Sequence, residues 1–350
     1  MKKILIPEEL FGLKSHGLEE DDLADRLNSR YTVRALVLCI LIILAKTYVG
    51  KPINCWTPAQ FQKPHNTYAN SICWLKGTYY LPTEEITIPD RSKPRLSYYQ
   101  WTTYILFGMS LLFYAPKIFW HALTRQSGLD LRRLTKAIKE DIKGDKGLDI
   151  VKKSLNSYLD YERGRTCCGG QLKNFNFRLV ILYFLIKVLY FINCLGQFFL
   201  LNAFLSFQFS SYGFEVLSHF FRGGDLFESP RFPRVTMCDF MIRHLGSNQH
   251  WYVIQCTLPI NLFNEKIFLC IWFWLLVLTF INFISIILWI ISMTRSARRR
   301  DLNTYLADDS FMDYLHADGY LVFRIIAQNT DEYTAKQILQ HLYEKRRTIV

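Results

Sequence analysis

The sequence predicts an all-α membrane protein built on a bundle of four membrane-spanning helices. Half of its 350 residues are hydrophobic and 16% are aromatic, whereas only 21% are charged. That balance is typical of membrane proteins with sizeable polar parts. Four apolar stretches are long enough to cross about 30 Å of hydrocarbon. The basic residues flank these stretches, so the net charge of +12 favours membrane topology over nucleic-acid binding.

The first span is predicted at residues 33–49. The preceding segment, 1–32, contains four consecutive acidic residues that end at Asp22, and it lacks the apolar run of a cleavable secretory signal. The span is short, but Arg34 and Lys46 near its ends can extend towards opposite headgroup layers. We therefore expect the first membrane helix itself to direct insertion.

The second span is predicted at 101–123. It contains Gly108 and Pro116, which predict a kink or a locally unwound turn.

The third span is placed at 187–209, because Lys187 interrupts an apolar run that begins near residue 175. The residues before Lys187 are expected to continue the helix beyond the membrane.

The fourth span is predicted at 267–293. It has no charged residue and is followed by Arg295 and three further arginines, which is a strong stop-transfer signal. The tail 294–350 contains apolar residues at helical spacing, and a final helix is expected from Glu332 to Lys345.

The distribution of Lys and Arg predicts the orientation. Segments 1–32, 124–186 and 294–350 contain five, thirteen and nine of them, whereas segments 50–100 and 210–266 contain six and five. The positive-inside rule places the first three in the cytoplasm, together with both termini, and the last two outside the cell. The middle segment 124–186 also has an apolar helical stripe, which indicates packing against another helix.

Four of the nine cysteines lie in the two outward loops. Cys55 and Cys73 are in the first loop and Cys238 and Cys256 in the second, and 17 residues separate the members of each pair. Because these loops face the oxidising side, disulfides are expected. Four cysteines permit three pairings, and spacing does not choose among them.

The remaining cysteines are interpreted as structural. Those in apolar runs are expected in the core, and the adjacent Cys167 and Cys168 on the cytoplasmic side are expected to be thiols, with reversible palmitoylation as the alternative. No His lies at ligand spacing around that pair, so no metal is predicted. We find no catalytic cluster, phosphate loop or nucleophile elbow, and predict no enzyme activity and no cofactor.

Several motifs resemble those of one family, the innexins, which form gap junctions in invertebrate animals and are related to pannexins. The head of the second span reads Tyr98-Tyr99-Gln100-Trp101, the innexin signature, and Pro116 follows in that span. Both outward loops are similar to innexin loops over long runs. In the first loop the similarity extends from Cys55-Trp56-Thr57-Pro58 to Thr78-Tyr79-Tyr80-Leu81-Pro82. In the second loop it covers Phe232-Pro233-Arg234-Val235-Thr236-Met237-Cys238-Asp239-Phe240 and the run from Gln255-Cys256-Thr257-Leu258-Pro259 to Lys266. Connexins have three cysteines per loop, so this chain departs from them.

The resemblance implies an octameric ring in each membrane, docked end to end with a second ring in the apposed cell. It implies disulfides from Cys55 to Cys256 and from Cys73 to Cys238, which would join both loops in a small α/β cap. It implies a helical cytoplasmic dome as well. The N-terminal segment would line a pore funnel; the residues at its mouth are Met1, Lys2 and Lys3. Lys2 and Lys3 would attract anions there, or would simply be solvated.

Docking of two caps requires polar groups that can pair at the seam. The candidates are Gln60, Gln62, Asn66 and Asn70 in the first loop, and Asn248 and Gln249 in the second. For each of them, ordinary solvation is the alternative. The chain ends Thr348-Ile349-Val350, which fits a C-terminal peptide that adds as a strand to a PDZ domain.

The function predicted is that of a structural subunit of an innexin gap junction channel in the plasma membrane, which passes ions and small molecules between adjacent cells. It would assemble with itself or with other innexins and be surrounded by membrane lipid, and no nucleic-acid partner is expected. An undocked large-pore hemichannel that releases small molecules across one membrane is the alternative. Dye transfer between paired cells, compared with uptake into single cells, separates the two.

Overall fold

The computed structural model describes residues 21–81, 95–126, 134, 137, 145–167, 177–205, 208–222, 231–244, 246–303, 309–329 and 332–349. These residues divide into two compact units. The helical unit comprises the described residues within Met1–Arg26, Pro116–Leu189 and Phe283–Val350. The sheet-containing unit comprises those within Leu27–Ala115 and Tyr190–Asn282.

Helices make up most of the described chain. They are α1 (Leu23–Arg26), a π-helix (Leu27–Thr32), α2 (Val33–Tyr48), α3 (Lys63–Lys76), α4 (Tyr98–Gln126), α5 (Asp145–Cys167), α6 (Arg178–Leu205), α7 (Phe209–Phe221), α8 (Pro259–Met293), α9 (Arg295–Asn303), α10 (Asp309–Asn329) and α11 (Glu332–Ile349). The strands are β1 (Asn54–Cys55), β2 (Val235–His244) and β3 (Asn248–Thr257).

Four helices in the described part are long and apolar enough to cross a membrane, as predicted from the sequence. They are Leu23–Tyr48, Tyr98–Arg125, Arg178–Leu205 and Pro259–Met293. At most 39% of the apolar window of any of them is buried within the chain. Their exposed apolar side chains therefore need lipid or neighbouring subunits to cover them.

Each of the four helices begins before the residue at which its membrane span is expected to begin. The first begins at Leu23, well before residue 33, and the third runs from Arg178 to Leu205 and ends before residue 209. Lys187, the expected edge of the third span, lies within this helix and is only 2% exposed. α4 continues across Gly108 and Pro116 without an unwound turn.

The sheet-containing unit holds a three-stranded antiparallel sheet in the order β1-β3-β2. β2 and β3 form a hairpin whose register runs from Val235 opposite Thr257 to His244 opposite Asn248. Gly246 in the hairpin turn has a φ of 87°, a left-handed conformation that glycine adopts without a steric cost. Because β1 is only two residues long, the hairpin forms most of the sheet.

The helical unit packs α5, α9, α10 and α11 around an apolar core. Asp318 of α10 is buried, and its carboxylate accepts hydrogen bonds from the N–H groups of Leu179 (3.2 Å) and Val180 (3.1 Å). It also accepts one from the Tyr158 hydroxyl of α5 at 3.4 Å. A carboxylate at the first turn of α6 satisfies unpaired N–H groups and complements the helix dipole. Asp318 therefore joins α5, α6 and α10.

A second polar cluster of the helical unit joins α9 to α10. Burial raises the pKa of Tyr320, so its neutral hydroxyl remains a donor at physiological pH. It donates to Asp301 at 2.6 Å, and Arg324 donates to the same carboxylate at 2.9 Å. Both helices are thus fixed beside the end of α8.

Candidate docking and pore-forming site

Two disulfides join the predicted outward loops. Cys55 is bonded to Cys256, with an S–S distance of 2.05 Å, and Cys73 is bonded to Cys238 at 1.96 Å. This is the pairing that the family resemblance implies. We call the region that they hold together, residues 50–81 and 231–257, the disulfide-linked domain.

Secondary structure brings each pair of cysteines together. Cys55 of β1 lies directly opposite Cys256 of β3, and its backbone N–H donates to the side-chain oxygen of Asn70 at 2.9 Å. Cys73 lies in the last turn of α3 and faces Cys238 of β2. One disulfide thus lies within the sheet, and the other fixes α3 to it.

Three of these sulfur atoms, those of Cys55, Cys73 and Cys256, lie within 4.8 Å of one another in buried positions. Cysteine binds a metal as the thiolate, and here each sulfur is part of a disulfide. The cluster is therefore structural. It concentrates both cross-links in one small core.

A buried carboxylate ties the start of α4 and the end of α3 to β2. Asp239 is 5% exposed; its carboxylate lies 3.5 Å from Arg95 and 3.6 Å from Lys76. Lys76 also donates to the Asp239 carbonyl at 3.0 Å. A buried carboxylate needs such partners, because an unpaired one is costly.

The signature residues Tyr98, Tyr99 and Gln100 serve this junction as well. Tyr98 and Tyr99 are buried, and their rings contact Phe232 and Trp74 with centroids 5.8 Å and 4.8 Å away. The Gln100 side chain donates to the Trp74 carbonyl. The signature thus attaches α4 to the disulfide-linked domain.

Trp101 and Pro116 occupy other environments. Trp101 is 58% exposed at the head of α4, where a tryptophan suits the membrane interface. Pro116 lies inside α4. Neither contributes to the disulfide-linked domain.

The six docking candidates fall into two groups. Gln60, Gln62, Asn248 and Gln249 are exposed. The side chains of the other two are occupied within the chain, since Asn70 bonds the Cys55 N–H and Asn66 accepts from the Thr57 hydroxyl at 2.5 Å. Gln62 is also the N-cap of α3 and forms a capping box with His65, so its exposed side chain already has a partner within the chain.

A buried ion cluster in the helical unit was missed by sequence reasoning. The Lys187 ammonium lies 3.1 Å from Asp22, 2.9 Å from Asp25 and 3.1 Å from the Ser285 hydroxyl. Its three N–H donors thus face three oxygen atoms. Trp289 donates to Asp22 at 3.1 Å. The available signal was a lysine within an apolar run, because an ionisable residue there normally has a partner.

The cluster fixes residues 22–25, in the later part of the N-terminal segment 1–32. Asp21 is also paired, with Lys117 of α4. Three carboxylates, of Asp21, Asp22 and Asp25, therefore connect the start of the first span to α4, α6 and α8. The predicted funnel residues Met1, Lys2 and Lys3 lie outside the described residues.

A second buried polar group connects membrane helices of the sheet-containing unit. The side-chain amides of Asn28 and Asn282 are hydrogen-bonded at 2.6 Å, and the Asn282 amide donates to the Cys194 sulfur at 3.1 Å. Asn28 lies in the π-helix. On the same helix as Cys194, Gln197 donates to Asn193 at 3.0 Å, a contact along one helix.

The C-terminal peptide is only partly described. The backbone of Thr348 and Ile349 lies in the last turn of α11, and Val350 lies outside the described residues. Strand addition requires extended backbone. Binding to a PDZ domain therefore stays a prediction, and it would require this turn to unwind.

Four membrane-capable helices and a disulfide-linked domain define a multi-pass membrane protein, and comparison with known sequences gives its family. The family model described as "Innexin" matches residues 21–346. "Innexin unc-9" of Caenorhabditis elegans is 34% identical, with 93% of this chain and 92% of the relative covered. "Innexin-19" of Caenorhabditis briggsae is 32% identical, with 94% and 87% covered. "Innexin-3" of C. elegans is 32% identical, with 93% and 83% covered.

The chain belongs to the innexin family. Membership identifies it as a subunit of gap junction channels in the plasma membrane, which assembles with other innexin subunits. Innexins are channel proteins rather than enzymes. The prediction of the family from the residues of the signature and of the two loops is confirmed.

Proposed function

We propose that this innexin forms octameric rings that dock end to end through their disulfide-linked domains and join the interiors of two cells. The carrying observation is that all four loop cysteines are paired between the loops, so each subunit presents one cross-linked surface. Chain-entropy estimates for loops this long give about 4–5 kcal/mol per disulfide. A surface held in this way loses little conformational entropy when it docks.

Charge supports an outward orientation of this domain. Segments 50–100 and 210–266, which contain this domain, have six and five Lys and Arg residues, fewer than the thirteen and nine of segments 124–186 and 294–350. The positive-inside rule therefore predicts that both termini are cytoplasmic. Disulfides also persist in the oxidising extracellular space.

The exposed polar groups suit a sealed seam. Gln60 precedes α3 and Gln62 is its N-cap, whereas Asn248 and Gln249 begin β3 beside the hairpin turn. Amide side chains both donate and accept, so identical surfaces can pair with each other. Buried but unpaired polar groups would be costly at such a seam.

The N-terminal segment belongs to the pore in this proposal. The ion cluster of Asp22, Asp25 and Lys187 fixes residue 22 beside the membrane helices, so residues 1–20 begin from a defined point. The basic Lys2 and Lys3 would then face the funnel mouth and raise the local concentration of anions.

Paired-cell recording tests docking. Cells that express this chain alone are brought into contact, and junctional conductance and transfer of a small dye are measured, with dye uptake into single cells as the comparison. Junctional conductance and dye transfer support docked channels. Uptake into single cells without any transfer between pairs would contradict docking and support the undocked hemichannel.

A further inference from the structure

α7 is an amphipathic helix that sequence analysis assigned to an outward loop. Phe209, Tyr212 and Gly213 are buried within the sheet-containing unit, to which α7 belongs. Phe214, Leu217 and Phe221 are 60%, 39% and 77% exposed. At about 100° per residue these three lie on one flank, next to the buried side.

The other flank of α7 is polar. Glu215 accepts a hydrogen bond from Ser211 at 2.8 Å and is paired with Arg231. The hydrogen bond from Arg231 lowers the pKa of the Glu215 carboxyl, so it stays charged near neutral pH. His219 and Arg222 are exposed as well. The helix therefore presents an apolar and a charged flank to its surroundings.

α7 packs on a part of α8 that is expected inside the membrane. Phe209 contacts Phe268 with ring centroids 6.2 Å apart, and the Trp272 indole donates to the Ser210 carbonyl at 3.1 Å. A Cβ on Gly213 would lie 2.1 Å from the Trp272 ring. Only glycine permits this close approach of α7 to α8.

The depth of Trp272 follows from helix geometry. The charge-free run from Ile267 to Met293 is about 40 Å long at 1.5 Å per residue, whereas the hydrocarbon core is about 30 Å thick. If the hydrocarbon core is centred on this charge-free run, the edge of the core lies about 5 Å from Ile267 along the helix axis. Trp272 lies about 7 Å from Ile267 along the same axis, and therefore near that edge, where tryptophan is enriched.

We propose that α7 is an interfacial helix embedded in the leaflet next to the disulfide-linked domain, with lipid acyl chains covering Phe214, Leu217 and Phe221. The apolar flank faces the bilayer at the depth of Trp272, and the flank with Glu215 faces the headgroups and water. Phe214 also contacts the buried Trp272 ring, with centroids 4.8 Å apart, so it lies at the same depth as that ring. The predicted loop boundary at 210 accordingly moves to the end of α7.

The proposal requires that α8 crosses the membrane, but it does not require that two rings dock. It commits to lipid rather than to a neighbouring subunit, because Phe214 of the apolar flank lies against Trp272, at the level of the hydrocarbon edge. It adds a membrane anchor beside the disulfide-linked domain.

Photo-crosslinking in native membranes tests it. Benzoylphenylalanine replaces Phe221 in the full chain, and Phe214 in a second variant. The same replacement of His219 is the matched control, since His219 is exposed and about 200° around the helix from Phe221. Membranes are illuminated, and the purified chain is examined by mass spectrometry for phospholipid adducts and by gel electrophoresis for subunit dimers.

We expect lipid adducts at Phe221 and at Phe214 to exceed those at His219 several-fold, with few subunit dimers. Dimers in place of lipid adducts would show that a neighbouring subunit covers the flank and would overturn the proposal. Equal lipid yields at Phe221 and His219, or no adduct at either aromatic position, would overturn it too. Two independent aromatic positions keep the test valid if one variant fails to accumulate.

Discussion

The side-chain amide of Gln100, at the start of α4, donates to the backbone carbonyl of Trp74, the residue that follows Cys73 in α3. Its second contact is with the Leu75 carbonyl at 3.3 Å. These carbonyls are at the C-terminal end of a helix, where they have no partner within the helix. Gln100 therefore caps α3 and joins a membrane helix to the disulfide-linked domain.

Replacing Gln100 with Ala should weaken that junction. It removes a hydrogen bond worth about 1 kcal/mol and leaves carbonyl groups with fewer partners. We expect the melting temperature of the purified protein in detergent to fall by roughly 2–4 °C. Gln60→Ala, at an exposed loop position, is the control and should leave it unchanged. Equal melting temperatures for the two variants would contradict the capping role.

Replacing Cys73 with Ser should abolish junctional conductance without preventing membrane insertion. The Cys73–Cys238 disulfide holds α3 on the sheet, whereas apolar spans and flanking charges direct insertion. Surface biotinylation and paired-cell recording measure the two properties. Cys270→Ala is the control, since Cys270 is a free thiol of α8. A Cys73→Ser variant that conducts normally would refute the role assigned to the cross-link.

Replacing Lys187 with Met should destabilise the protein strongly. It leaves Asp22 and Asp25 without their buried cation, and breaking a buried ion pair in this way costs about 3–5 kcal/mol. Detergent-solubilised protein should show a marked loss of thermal stability. Lys153→Met, at an exposed position of α5, should change little.

A second substitution distinguishes charge pairing from simple packing at Lys187. Combining Lys187→Met with Asp25→Asn removes one of the uncompensated carboxylates, so part of the lost stability should return. If the loss of stability in the double variant equalled the sum of the losses in the two single variants, that result would argue against electrostatic coupling.

Replacing Asp318 with Ala should loosen the helical unit. The N–H groups of Leu179 and Val180 lose their acceptor, and loss of a capping carboxylate costs about 0.5–2 kcal/mol. Hydrogen exchange at these two amides should therefore accelerate. Asp149→Ala, at an exposed position of α5, should leave their exchange rates unchanged. Unchanged protection in Asp318→Ala would mean that another group satisfies these amides.

The four spans were predictable because apolar length is a property of local sequence. The partners of Lys187 were not predictable, because hydropathy treats a lysine as a charge to be placed at the membrane edge. The structure surrounds it with Asp22, Asp25 and Ser285 from other helices. Such compensation depends on residues distant in sequence, and one sequence gives no direct measure of their proximity.

The same reason limited the prediction of the candidate site. The loop cysteines indicated disulfides, but their spacing permitted three pairings, and only the resemblance to a family selected Cys55 with Cys256. Asn70 was a docking candidate because it is polar and lies in an outward loop, yet it accepts a hydrogen bond from the Cys55 N–H. The spacing of Phe209, Gly213 and Leu217 did contain a signal for α7, which the assignment to a loop overlooked.

Electron cryomicroscopy of the purified full chain in lipid tests the central claim most directly. We expect eight-subunit rings joined in end-to-end pairs, with residues 55–73 and 238–256 at the seam between the two membranes. Rings that carry these residues on the side of the chain termini would contradict the proposed orientation and docking surface.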